Sequence, residues 1–172
     1  MITGALTAQP LGHYDFCKVY PRECSIRSRN KAPEHMTAKL WRRITSVNLA
    51  VNKRIKPMTD QEIYGREEVW AYPDKGVGDC EDFALEKRRL LIKSGLPVSN
   101  LLITVVRKPD GEGHAVLTVR TDKGDFILDN LSDRVRFWTE TGYQYLKRQA
   151  ADHTGHWVAI LDGGAALVGS VQ

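Results

Sequence analysis

The chain has 172 residues, 42% of them hydrophobic and 27% charged, with a net charge of +4. That is enough chain for one domain with a buried core, and the composition is that of a soluble globular protein. No apolar run approaches the ~20 residues needed to cross a bilayer, which excludes an integral membrane protein of the helical kind. Lys and Arg are spread along the chain without interleaved aromatics, so the sequence carries no footprint for nucleic acid.

Residues 1–34 contain Pro10, Pro21 and Pro33 with little periodicity and read as a loop-rich arm. Within it Cys17 and Cys24 lie seven apart, with no histidine at zinc-like spacing. If they pair, the compartment is oxidising and Cys80 is the free thiol of the three cysteines. The start lacks the charged and apolar regions of an export signal. Taken literally this fits a cytoplasmic protein; taken as a chain that begins after such a signal, it fits the periplasm.

Leu40, Trp41, Ile44, Val47, Leu49 and Val51 recur at helical intervals and predict a helix from about Thr37 to Ile55, ended by Pro57. Thr59-Asp60-Gln61-Glu62 is a capped start for a short second helix. A third helix opens at Cys80 and stops near Ser94, before Gly95 and Pro97. Asp79 is placed as its N-cap and Asp82 as its N3 residue. Runs from Leu101 to Arg107, His114 to Arg120 and Asp125 to Leu128 are rich in Val, Ile, Leu and Thr and are separated by glycine turns. They predict an antiparallel meander. Leu131–Phe137 is ambiguous, Tyr143–Leu146 and Trp157–Leu161 are further strands, and the tail from Gly163 is expected to be frayed. Helices followed by strands describe a single α+β domain.

The chemistry concentrates in Gly-Asp-Cys-Glu-Asp, residues 78–82. A helix N-terminus lowers a thiol pKa, and an imidazolium lowers it further. His114 in Gly-His-Ala-Val-Leu and Asp129 in Ile-Leu-Asp-Asn follow on successive predicted strands. Cysteine, histidine and aspartate in that order suit a nucleophile, a general base and an orienting carboxylate, with the Cys80 amide as an oxyanion donor. Taken singly, each has a plainer reading: a buried inert thiol, a strand-edge histidine, a turn aspartate. The joint pattern favours catalysis. Asp79, Glu81 and Asp82 oppose a thiolate. Either Asp79 and Asp82 are capping groups, or a hard cation neutralises them, and carboxylate oxygens suit calcium.

At these residues the sequence resembles the bacterial transglutaminase-like cysteine proteinases. The likeness includes Phe-Cys…Pro-Arg-Glu-Cys, Val-Asn-Leu-Ala-Val-Asn, the Trp70 loop, Gly-Asp-Cys-Glu-Asp, His-Ala-Val-Leu and Leu-Asp-Asn-Leu. It implies a papain-like core in which the nucleophile helix packs on an antiparallel sheet. It implies Cys80, His114 and Asp129 as the triad of a cysteine endopeptidase, and a calcium ion at Asp79, Glu81 and Asp82. LapG-type members are periplasmic, cut surface adhesins, and are restrained by an inner-membrane cyclic-di-GMP receptor. The implied substrate here is a bacterial surface or periplasmic protein, and the arm's likeness to exported members favours the periplasm. Transfer to an amine, as in a transglutaminase, and peptide binding without catalysis are the alternatives.

Overall fold

The computed structural model describes residues 1–164. In chain order its elements are β1 (Thr3–Thr7), α1 (Leu11–Val19), α2 (Ala38–Arg54), β2 (Lys56–Pro57), α3 (Asp60–Tyr64), β3 (Val77–Gly78) and α4 (Cys80–Lys93). The remaining strands are β4 (Leu101–Arg107), β5 (Gly113–Thr121), β6 (Gly124–Asp129), β7 (Ser132–Phe137), β8 (Gln144–Gln149) and β9 (Trp157–Ile160). Seven strands form one sheet in the order β1-β9-β8-β4-β5-β6-β7, with every neighbouring pair antiparallel. The fold is α+β, with helices packed on an antiparallel sheet.

Helix α4 lies across the middle of this sheet, against β4, β5 and β6, and α2 packs beside it against β7. Leu85, Leu91, Leu101, Ile103, Leu117 and Val119 fill the space between them. On the other face Val106, Val116, Ile127, Tyr145 and Ile160 form a second cluster. The two sets alternate along β4 and β5, as a strand buried on both faces requires.

Local signals explain the helix ends. Thr37 Oγ1 accepts the Leu40 amide at the start of α2. At α3, Thr59 and Glu62 form a reciprocal capping box. Helix α4 ends at Ser94, followed by Gly95 at φ +95°, a left-handed conformation natural to glycine.

The arm is more ordered than its prolines suggest. It holds β1 and α1, and the Cys17–Cys24 disulfide closes the end of α1. Strand β1 finds its partner in β9, at the far end of the chain, so nothing local announces it. His13, buried at 1% exposure, lies at the centre of this corner. Trp157 Nε1 donates to its Nδ1, Gln149 Nε2 approaches its Nε2, and Trp70 packs edge-on against the ring. Of the tail expected from Gly163, Gly163 itself accepts the Tyr145 amide. Residues 165–172 lie outside the described residues.

Candidate active site

The register of β5 on β6 pairs Leu117 with Leu128. Asp129 is therefore one step beyond that pair and His114 three steps beyond it on the adjoining strand, diagonal neighbours on one face. The side chains meet. His114 Nε2 lies 2.8 Å from Asp129 Oδ1, and both side chains are nearly inaccessible, at 4% and 6% exposure. A carboxylate acceptor fixes the proton on Nε2 and leaves Nδ1 free to accept another. The Leu131 amide also donates to Asp129 Oδ1, and the Tyr143 hydroxyl donates to Oδ2 at 2.6 Å. Burial acts to raise the Asp129 pKa, but the bonds from His114, Tyr143 and Leu131 outweigh it and hold the group below its ordinary value.

Cys80, the first residue of α4, is a half-buried free thiol. It shares a cavity of about 470 Å³ with Trp70, Glu81, Val105, His114 and Ala115. Within that cavity the thiol turns to its neighbour, donating to Glu81 Oε2 at 3.2 Å. Among the described residues no hydrogen bond joins it to His114. Burial first, then the charges of Glu81 and Asp79, push the thiol well above its ordinary range. In this arrangement the sulfur keeps its proton.

The acidic residues around it are not helix caps. Asp79 occupies the N-cap position of α4, yet its carboxylate makes no capping bond. Asp82 Oδ1 accepts the Ala71 amide from the Trp70 loop instead. Gly78 is small for the same reason: a Cβ there would lie 2.7 Å from Asp82 Oδ2. Asp79 and Glu81 converge with Asp60, one carboxylate oxygen from each of the three lying within 4.8 Å of the others. Asp60 is brought there by the parallel pairing of β2 with β3, which sets the start of α3 beside the start of α4. Asp82 stands outside that trio.

The trio is short of positive charge. Burial, followed by mutual repulsion with Asp79, raises Asp60 to about 6 and, with Asp60 added, Asp82 to about 8. Glu81 is driven higher by burial and then by its neighbour Asp79. Asp60 Oδ1 and Asp79 Oδ1 are buried with no hydrogen-bond partner. Three converging carboxylates, two of them with an orphaned oxygen, are a donor set that fits a hard cation such as calcium. Asp60 was hidden from sequence reasoning because its partners lie beyond a loop. Its one visible signal was the capping box that opens α3.

The family profile of bacterial transglutaminase-like cysteine proteinases (BTLCP) matches residues 3–165. The chain belongs to this family. It is thus a cysteine proteinase by kinship. The solved structure of Legionella pneumophila LapG matches it at 27% identity and a TM-score of 0.59, covering 75% of this chain and 73% of that one. Calcium-bound Legionella pneumophila LapG matches at 26% identity and a TM-score of 0.60, covering 78% of this chain and 76% of LapG. The EGTA-treated form gives 26%, 0.60, 74% and 70%. No curated protein matches significantly. The fold of this transglutaminase-like proteinase, a helix bearing cysteine on an antiparallel sheet, is that of LapG.

Proposed function

We propose that this proteinase is an endopeptidase working through an acyl-enzyme, with Cys80 as nucleophile, His114 as general base and acid, and Asp129 as the orienting carboxylate. The observation that carries this reading is the buried His114–Asp129 pair opening onto the same cavity as the Cys80 thiol. His114 takes the thiol proton on Nδ1, and the sulfur attacks the peptide carbonyl carbon. The C–N bond breaks as the imidazolium returns its proton to the leaving amine. Water then attacks the thioester, gives its proton to His114, and releases the acid and the free thiol. The Cys80 amide at the open end of α4 is the oxyanion donor.

Calcium is the cation we assign to Asp60, Asp79 and Glu81, a set that replaces Asp82 of the sequence-based expectation with Asp60. When bound, it supplies the positive charge these carboxylates lack. With its oxygens held by such a cation, Glu81 would be a poorer acceptor for the thiol, leaving Cys80 to His114. That a LapG has been captured calcium-bound supports the assignment. The disulfide supports an oxidising compartment, and we place the protein in the periplasm, cutting a surface protein of the adhesin class.

The test is a comparison of new protein N-termini after incubating a Gram-negative cell-surface protein fraction, with calcium, with wild type and with Cys80→Ala. Termini produced by wild type alone are expected. Identical sets from both proteins would end the proposal.

A further inference from the structure

The Val-Asn-Leu-Ala-Val-Asn stretch of α2 places two asparagines, Asn48 and Asn52, one helical turn apart. Asparagine is a poor helix-interior residue because its side chain competes for backbone partners. Both point at the turn between β6 and β7. Asn52 Nδ2 donates to the carbonyl of Asp129 at 3.0 Å and lies 3.2 Å from that of Ser132. Asn48, fully buried, donates to the carbonyls of Ser132 at 2.8 Å and Asp133 at 3.1 Å. The backbone that presents Asp129 is therefore tied to a helix that contributes nothing else to the site.

The carboxylate of the same residue is held from the other side. Tyr143 Oη donates to Asp129 Oδ2 at 2.6 Å, and its ring meets the His114 ring edge-on with centroids 5.6 Å apart. Burial, then the Asp129 charge, keeps the phenol protonated, so it is a donor throughout the working range. With Oδ2 occupied by Tyr143, Oδ1 is the oxygen presented to His114 Nε2. One tyrosine thus sets both the rotation of the carboxylate and a wall of the imidazole's site.

We infer that Tyr143 and the Asn48–Asn52 pair are positioning residues for the histidine, acting through Asp129: the tyrosine fixes its carboxylate, Asn52 its backbone carbonyl, and Asn48 the start of β7 just beyond it. The inference rests on the Cys80–His114–Asp129 reading and extends it by three residues drawn from α2 and the approach to β8. Its chemical content is tautomer control. A rigid Asp129 holds the imidazole proton on Nε2, so that Nδ1 is the basic nitrogen offered to the thiol.

The experiment compares wild type, Tyr143→Phe, Asn52→Ala and His114→Ala in calcium. The readouts are the rate of Cys80 alkylation by iodoacetamide at neutral pH, the His114 ring nitrogens by ¹⁵N NMR, and the melting temperature. Tyr143→Phe keeps the ring and removes only the hydroxyl. It is expected to melt within a few degrees of wild type, to show a mixture of His114 tautomers, and to alkylate slower by roughly tenfold. Asn52→Ala should show the same tautomer mixing with a smaller loss of rate. Should Tyr143→Phe melt early, the tautomer signal of Asn52→Ala decides. Wild type faster than His114→Ala but equal to Tyr143→Phe, with one unchanged tautomer, overturns this inference and leaves the triad standing. Wild type no faster than His114→Ala removes the triad, and this inference with it.

Discussion

Cys80 Sγ and Glu81 Oε2 are 3.2 Å apart, and the one free thiol is spent on the carboxylate beside it in sequence. His114 and Asp129, by contrast, are already bonded to each other and buried. On the proposed triad, the contact still to be made is the one between the Cys80 thiol and His114.

Calcium should accordingly act on the reactivity of the sulfur. Iodoacetamide should modify Cys80 faster in millimolar calcium than in EGTA, and Asp60→Asn should blunt the difference. Equal rates in calcium and EGTA, measured by intact-protein mass spectrometry, would detach the acidic trio from the chemistry.

Asp129→Asn retains the shape of the side chain but loses the charge that holds the His114 proton on Nε2. We expect cleavage to fall on the order of 10²–10⁴-fold with an unchanged circular-dichroism spectrum. A variant within threefold of wild type would contradict the role given to this residue.

Lys87 makes stability depend on pH. Its side chain is buried, Nζ has no hydrogen-bond partner, and desolvation lowers its pKa to about 7 against the favourable charges of Asp129 and Asp133. An unfolded lysine titrates near 10.5. The unfolded chain thus binds the extra proton between those values, and stability rises with pH across that window. Below about 7 the penalty is fully present, of order a few kcal/mol. Lys87→Met should be more stable than wild type at pH 6, with the gap closing toward pH 10. Denaturant midpoints at the two pH values measure it, and a constant gap would refute the account.

The disulfide closes a short loop, Cys17 to Cys24. Loop-closure entropy for a ring of this size gives about 2–3 kcal/mol. Cys17→Ser/Cys24→Ser should lower the melting temperature while leaving Cys80 as reactive as before. A melting curve with and without reductant tests it on the native chain.

The order of cysteine, histidine and aspartate was readable because each sits at an element boundary with its own local signal: a helix start, a turn glycine, a strand end. The meander was readable for the same reason, since Lys108–Gly113 and Thr121–Gly124 are turns whose residues specify them. What sequence could not supply depends on pairing at a distance. Strand β1 needs β9, Asp60 needs the β2–β3 ladder, and Asn48 and Asn52 have no target until β7 packs on α2. Asp79 and Asp82 misled for a related reason. Their positions are those of caps, but Asp79 makes no capping bond and Asp82 Oδ1 accepts the Ala71 amide.

The β2–β3 ladder has a further consequence. It is two residues long on each side, reinforced by the Lys56 amide on the Gly76 carbonyl and the Met58 amide on that of Gly78. The part of the intervening chain that includes Arg66 and Glu67 lies between this clasp and Asp60, whose Oδ2 receives the Val69 amide, ahead of Trp70 and the Ala71–Asp82 bond. An ion seated on Asp60 would fasten the same span, so its affinity includes the cost of ordering that span. Occupancy would be legible as slowed amide exchange in residues 60–79, well before any change in global unfolding.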